Sequence, residues 1–226
     1  MAEPIIKTVN LSKTYGLDDG SGVKALDNVN LEVYESEIIG ITGPSGSGKT
    51  TLLGVIGCLE SPTSGELMLF GKDVGRLTDK QLSEIRLRRI GFIFQEHNLL
   101  PALTVHENLE LPLYLAQVPR HERMERVKEL LEVIDLEYLS SRFPSQLSRG
   151  QRQRIAAIRA FVNNPKIILG DEPTSDLDRE NASILMRFLK RLNEENQTTI
   201  VLAATDEEAF HGVTGRGLHV IDGKVS

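Results

Sequence analysis

Short runs of unbroken apolar residues recur along this chain, at Ile38–Thr42, Ile90–Phe94, Ile167–Gly170, Ile200–Ala203 and Leu218–Ile221. Each is strand-sized, and the absence of alternation within it predicts a strand buried on both faces, as in a parallel sheet. Between the runs, apolar positions return at spacings of three and four: Met124, Val127, Leu131 and Ile134 form one stripe, Leu185, Phe188, Leu189 and Leu192 another. That spacing predicts amphipathic helices, and the alternation of strands with helices predicts an α/β fold. Residues Ile5 to Val33 alternate instead, around a glycine-rich stretch from Gly16 to Gly22, which predicts antiparallel strands flanking the main sheet. From Glu96 to Leu147 the pattern is mostly helical and interrupted by Pro101, Pro112, Pro119 and Pro144, which predicts an inserted helical subdomain.

Composition narrows the function. A chain of 226 residues with 40% hydrophobic and 26% charged residues is ordinary and globular. The net charge of -6 argues against broad binding of nucleic acid, so no nucleic-acid partner is expected. Cys58 is the one cysteine, which rules out an internal disulfide, and the Met-Ala-Glu-Pro start lacks the basic and apolar regions of a secretory signal. A reducing, cytosolic setting is expected. No apolar run approaches the roughly 20 residues that cross a bilayer, so any membrane role must come through a partner.

The chemistry begins at Gly43-Pro44-Ser45-Gly46-Ser47-Gly48-Lys49-Thr50, a P-loop pattern with a strand run before it and a helical pattern after it. Gly46 and Gly48 allow the tight backbone that turns N–H groups and a helix N-terminus toward phosphate oxygens. Lys49 reaches the β- and γ-phosphates of a nucleotide such as ATP, and the Thr50 hydroxyl, with Thr51 beside it, is placed for Mg²⁺ and the nucleotide. Ile167–Glu172 is a buried strand ending in two carboxylates, at the sheet edge where ligands collect. Asp171 is expected to hold Mg²⁺ through water, and Glu172 to orient and deprotonate an attacking water.

Between these elements lies Leu147-Ser148-Arg149-Gly150-Gln151, the start of a helix that continues through Arg154, Ile155, Ile158, Phe161 and Val162. A P-loop, then this pentapeptide, then paired acids resembles the ATP-binding cassette (ABC) ATPases. The resemblance implies a P-loop NTPase (RecA-like) parallel core with an antiparallel β subdomain and a helical insertion, forming one domain over residues 1–226. Its core would comprise 1–95 and 159–226 and its helical subdomain 96–158. It also implies that Ser148, Gly150 and Gln151 meet the γ-phosphate bound by a second copy in a head-to-tail homodimer. Tyr15 resembles the aromatic residue that stacks on adenine, and Gln95 the glutamine that links Mg²⁺ to the helical subdomain. The plainer alternatives are a packed surface aromatic and a solvated strand end. Ser175-Asp176-Leu177-Asp178 resembles a dimer-contacting loop, although Asp178 could equally cap the helix from Arg179 to Leu192, or do both.

Gly91-Phe92-Ile93-Phe94-Gln95, Asn98-Leu99-Leu100-Pro101 and Glu107-Asn108-Leu109 resemble the branch serving lipoprotein release, macrolide export and antimicrobial-peptide resistance. Subunits of that branch work in pairs beneath a permease on a separate chain, which implies a cytoplasmic protein held on the inner face of the membrane. Two positions depart from the family pattern. Thr205 stands where the resemblance implies a histidine at the γ-phosphate; it is shorter and uncharged, and would reach the phosphate through water. His211 reads as a surface histidine in a helical stretch. Arg149 replaces a glycine, and its guanidinium would either contact the opposite ATP or hold the copies apart. The basic residues Lys80, Arg86, Arg88 and Arg89, balanced by Asp79 and Glu84, read as a solvated helix face. The leading function is a transport ATPase. One alternative is a nucleotide-gated switch with weak turnover; another is a soluble ABC protein, which usually carries two cassettes or a long coiled coil.

Overall fold

Burial on both faces accounts for the unbroken apolar runs. In the computed structural model, which describes residues 3–16, 22–210 and 212–226, they become the five parallel strands of a six-stranded sheet. In chain order the strands are β1 (Ile6–Gly16), β2 (Gly22–Val33), β3 (Ile38–Thr42), β4 (Ser64–Leu69), β5 (Lys72–Asp73), β6 (Ile90–Ile93), β7 (Ile167–Asp171), β8 (Thr199–Ala203), β9 (Arg216–Ile221) and β10 (Lys224–Val225). The helices are α1 (Lys49–Ile56), α2 (Asp79–Arg89), α3 (Val105–Leu115), α4 (Arg120–Val133), α5 (Arg149–Phe161) and α6 (Arg179–Asn196). The main sheet runs β10-β9-β3-β8-β7-β6, parallel except for β10.

Alternate residues of the inner strands feed two separate cores. Ile38, Ile168, Ile200 and Leu202 face α5 and α6, with Ile155, Ile158, Leu185 and Leu189 packed among them. Ile39, Ile41, Ile167, Leu169, Val201 and Ala203 face α1, whose Leu52, Val55 and Ile56 share that core with the antiparallel sheet β2-β1-β4-β5. The P-loop and the paired acids therefore emerge at the carboxyl ends of β3 and β7.

Local sequence sets where the helices begin. Thr78 with Gln81, Thr104 with Glu107 and Ser148 with Gln151 form reciprocal capping boxes at the starts of α2, α3 and α5. Each such cap is worth about 1 kcal/mol and fixes the direction in which its helix departs.

Several expectations are corrected. Pro112 lies inside α3 rather than ending it; only the last turn follows it, and its carbonyl still accepts from the Ala116 N–H at 3.0 Å. Along β9 only Val220 is fully buried and Ile221 is exposed, because this strand lies toward the sheet edge beside β10. The arginines of α2 do not form a merely solvated face. Arg86 donates to the Cys58 carbonyl at 2.7 Å and Arg88 to the Ala116 carbonyl at 2.9 Å. The Arg89 guanidinium lies 3.7 Å from the centroid of the Phe70 ring, a contact suited to its planar, weakly hydrated charge. Cys58 itself is buried, which pushes its thiol pKa up to about 11. His211 and the Leu17–Ser21 part of the glycine-rich stretch lie outside the described residues.

At the contact between β6 and α5 a glycine is required for space alone. A Cβ on Gly91 would stand 2.0 Å from the Ala160 carbonyl oxygen, and neither backbone can yield without moving its element. Gly91→Ala is expected to destabilise the protein by about 1–3 kcal/mol, measured as a lower urea midpoint with an unchanged slope.

Candidate active site

The loop after β3 is held open as a cradle by two carbonyl oxygens beneath it. Gly43 adopts φ 150 and Gly48 φ 109. A Cβ at these positions would meet the Val220 and Ala25 carbonyl oxygens at 2.1 and 2.3 Å, so no side chain fits either place. Gly48 is also the N-cap of α1, where no side chain caps the helix and no acidic residue occupies the first turn. The N–H groups there remain available to an anion. Lys49 is buried and turned back over the loop, donating from Nζ to the Gly43 and Pro44 carbonyls at 2.8 and 3.0 Å. Ser47 contributes a buried hydroxyl with no partner.

The carboxylates arrive from β7, which β8 separates from β3 in the same parallel sheet. Asp171 ends β7, and its Oδ1 is buried without a hydrogen-bond partner. Glu172 follows in a left-handed conformation, φ 47, its N–H donating to the Ala203 carbonyl at 2.9 Å. The Ser175 N–H and Oγ then donate to the Glu172 carbonyl at 3.2 and 3.0 Å, closing a tight turn. Backbone strain of this kind, about 1–3 kcal/mol, persists where surrounding bonds over-determine it. Burial pushes the Glu172 carboxyl above its ordinary pKa, with Asp171 adding to the rise and Lys49 and the Thr205 backbone N–H opposing it.

Gly48, Lys49, Asp171 and Glu172 line one cleft of about 410 Å³, with Ser45, Gly46, Thr50, Thr51, Gln95 and Thr205 on its walls; Gly43, Pro44 and Ser47 are not on them. The donor set fits Mg²⁺, a hard cation that usually takes one or two protein oxygens and completes its shell with water and phosphate. The orphaned Asp171 Oδ1 is one such oxygen; Thr50 and Gln95 stand on the same cleft. Thr205 is exposed and follows the buried Ala204 at the end of β8.

Tyr15, at the end of β1, is partly exposed and tied by its hydroxyl to Glu60, while the Lys13 ammonium lies 5.0 Å from the ring centroid. Lys13 also donates to the Ser61 carbonyl at 2.8 Å. Neither Lys13 nor Glu60 figures in the sequence-based expectations; alternation along β1, which puts Lys13 and Tyr15 on one face, is the signal that points to the first. Ala25 and Ser175 line the cleft as well.

Ser148, Gly150 and Gln151 do not line this cleft. The Ser148 Oγ accepts from the Gln151 N–H at 3.2 Å, and the Gln151 side chain accepts from the Ser148 N–H at 2.8 Å. Ser148 and Arg149 are exposed, and Arg149 has no ion-pair partner among the described residues. Asp178 does cap α6, accepting from the Asn181 N–H at 2.8 Å. It stands apart from the cleft.

The model of the family described as "ABC transporter" matches residues 26–175. An uncharacterized ABC transporter ATP-binding protein of Thermotoga maritima is 45% identical over 92% of this chain and 88% of its own length. The lipoprotein-releasing system ATP-binding protein LolD of Bacteroides fragilis is 38% identical over 98% of this chain and 100% of its own. Among solved structures, the dimeric post-hydrolysis state of the ATP-binding cassette MJ0796, bound to ADP and Pi, superposes with a TM-score of 0.91 at 42% identity. It covers 98% of this chain and 96% of that one.

Lys49→Ala is expected to weaken ATP binding on the order of 10- to 100-fold, the worth of one or two lost hydrogen bonds from a charged donor, as measured by titration calorimetry. The raised pKa of Glu172 gives a second expectation. The native protein holds that proton more tightly than the unfolded chain, so stability falls as pH rises from the ordinary glutamate range through the raised native value. Glu172→Gln removes this penalty. Without nucleotide, it should melt higher than wild type at neutral pH, and the difference should vanish below about pH 4, where both states of wild type are protonated.

Proposed function

The chain belongs to the ABC transporter family as an ATP-binding protein, and from that premise we propose that two copies close head to tail around Mg-ATP beneath a separate membrane permease. The observation that carries this reading is the separation of two sets of groups within one chain. Lys49, Asp171 and Glu172 share a cleft, whereas Ser148 and Arg149 at the start of α5 are exposed and line no part of it. A second copy brings one set to the other. That MJ0796 was solved as a dimer bound to ADP and Pi supports pairing.

In the closed pair, the P-loop amides and Lys49 hold the phosphates, Tyr15 stacks against the adenine, and Ser148, Gly150 and Gln151 of the opposite copy cover the γ-phosphate. Mg²⁺, held by Thr50 and Gln95 and through water by Asp171, would neutralise charge on the β- and γ-phosphate oxygens. Glu172 takes a proton from the water whose oxygen bonds to the γ-phosphorus while the bond to the bridging oxygen breaks and ADP leaves. Its raised pKa makes it a stronger base than an ordinary glutamate. We assign residues 96–158 to a helical arm that takes in α5 as far as Ile158, and 1–95 with 159–226 to the nucleotide core. Among the described residues no helix is long and apolar enough to cross a membrane, in keeping with a cytoplasmic subunit held on the inner face by its permease. The lipoprotein-releasing relatives favour export or lipoprotein handling as the transport task.

A second reading, a nucleotide-gated switch with slow turnover, is favoured by one feature. At Thr205 the cleft is lined by an exposed, uncharged residue whose backbone N–H faces the Glu172 carboxyl. Among the described residues that line the cleft, Lys49 is the one cationic side chain.

Glu172→Gln should keep nucleotide binding and lose the base, so that size-exclusion with Mg-ATP shows a persistent species of doubled mass. A variant that stays monomeric and turns over like wild type would refute the role of Glu172. Thr205→His should raise hydrolysis at saturating ATP by about tenfold or more, part of what one transition-state donor is worth. If neither it nor its combination with Arg149→Gly outpaces wild type, slow turnover is not a property of Thr205.

A further inference from the structure

One buried side chain joins the first turns of α5 to the turn that carries Glu172. Gln153 is 2% exposed, and its Nε2 donates to the carbonyl of Pro173 at 2.7 Å. Pro173 is the residue after Glu172. The other end of the same amide, Oε1, is buried with no partner. A second contact lies farther along the same segment. A Cβ on Gly150 would stand 3.0 Å from the Asn181 carboxamide, and Asn181 is itself bonded to Asp178 through its Nδ2 at 2.8 Å.

The segment between these contacts is stiff. Ser175 fastens twice to the Glu172 carbonyl, and the Leu177 N–H donates to the Thr174 carbonyl at 3.1 Å. A displacement of α5 is therefore passed to Glu172 rather than absorbed. Glu172 is sensitive to it, since a left-handed non-glycine residue sits in a narrow well.

Stability alone does not account for Gln153. A buried amide with one end unpaired loses in desolvation much of what the other end gains. Such an orphan calls for another explanation.

We infer that Gln153 is a positioning residue that couples the two nucleotide sites of the closed pair: through it, the seating of Ser148 against one nucleotide sets where Glu172 stands at the other. The inference rests on the proposed head-to-tail pair, in which Ser148 and Glu172 of one copy serve different nucleotides. A link inside the chain is then a link between sites, carried by contiguous bonded groups.

The test uses mixed pairs in which one copy carries Glu172→Gln, so that only the other turns over. Single-turnover hydrolysis is followed in preformed, Mg-ATP-loaded pairs, with monomer ATP affinity and melting temperature as controls. Placed in the active copy, Gln153→Met should leave ATP affinity close to the parent and lower the melting temperature by only a few degrees, the cost of one carbonyl left without its donor. It should slow turnover about fivefold or more, the low end of ordinary coupling between sites. Ser148→Ala in the active copy should slow that copy's own site when Gln153 is present and add little when it is Met, a non-additive cycle. Gln153→Leu, which likewise removes the donor, repeats the comparison should the methionine variant not fold. Unchanged turnover in Gln153→Met, or an equal effect of Ser148→Ala in both backgrounds, overturns the coupling. Copies that never pair with Mg-ATP overturn the head-to-tail reading and the inference with it, and size-exclusion distinguishes that outcome from a pair in which Gln153 has no effect.

Discussion

The nucleotide cleft depends on a backbone held against carbonyl oxygens. Gly43 rests on Val220 and Gly48 on Ala25, each closer than any side chain would permit. β9 and β2 thereby set the height and tilt of a loop that neither strand belongs to. The Gly223 N–H, donating to the Ser47 carbonyl at 2.9 Å, adds a third restraint from the end of the chain. With the loop pinned, the first N–H groups of α1 have no partner to turn toward, and the buried Ser47 hydroxyl and Asp171 oxygen are left in the same condition. The polar groups of the cleft are thus prepared for a charged ligand before one arrives, which is the arrangement that avoids reorganisation during reaction.

Much of this was legible in the residues. Strands buried on both faces leave unbroken apolar runs, and β3, β7 and β8 fall within a residue of the expected places because no tertiary choice competes with so strong a pattern. The capping boxes of α2, α3 and α5 are equally local. Where the reading stopped, the missing information was spatial. Nothing near Pro112 in sequence says that α3 carries on past it. The exposure of Ile221 follows from which strand ends up at the sheet edge. The contacts of Arg86, Arg88 and Arg89 reach a carbonyl or ring supplied by another element.

The site divides in the same way. The P-loop and the paired acids could be named from type and spacing, because phosphate cradling and water activation demand those groups at those intervals. Gln153 could not, since a glutamine in a polar helix start carries no mark of the carbonyl it will meet. Glu60 and Lys13, which fix the Tyr15 ring, come together only when β1 closes over the loop after α1.

Cys58 has a practical consequence. Its thiol is buried and its pKa is pushed to about 11, so at neutral pH almost none of it exists as the thiolate that reacts with maleimides or iodoacetamide. The protein is in effect already cysteine-silent. A single cysteine placed at an exposed position such as Ser145 or Asp176 would carry a fluorophore or spin label alone, and the distances between copies could be followed in otherwise unaltered protein.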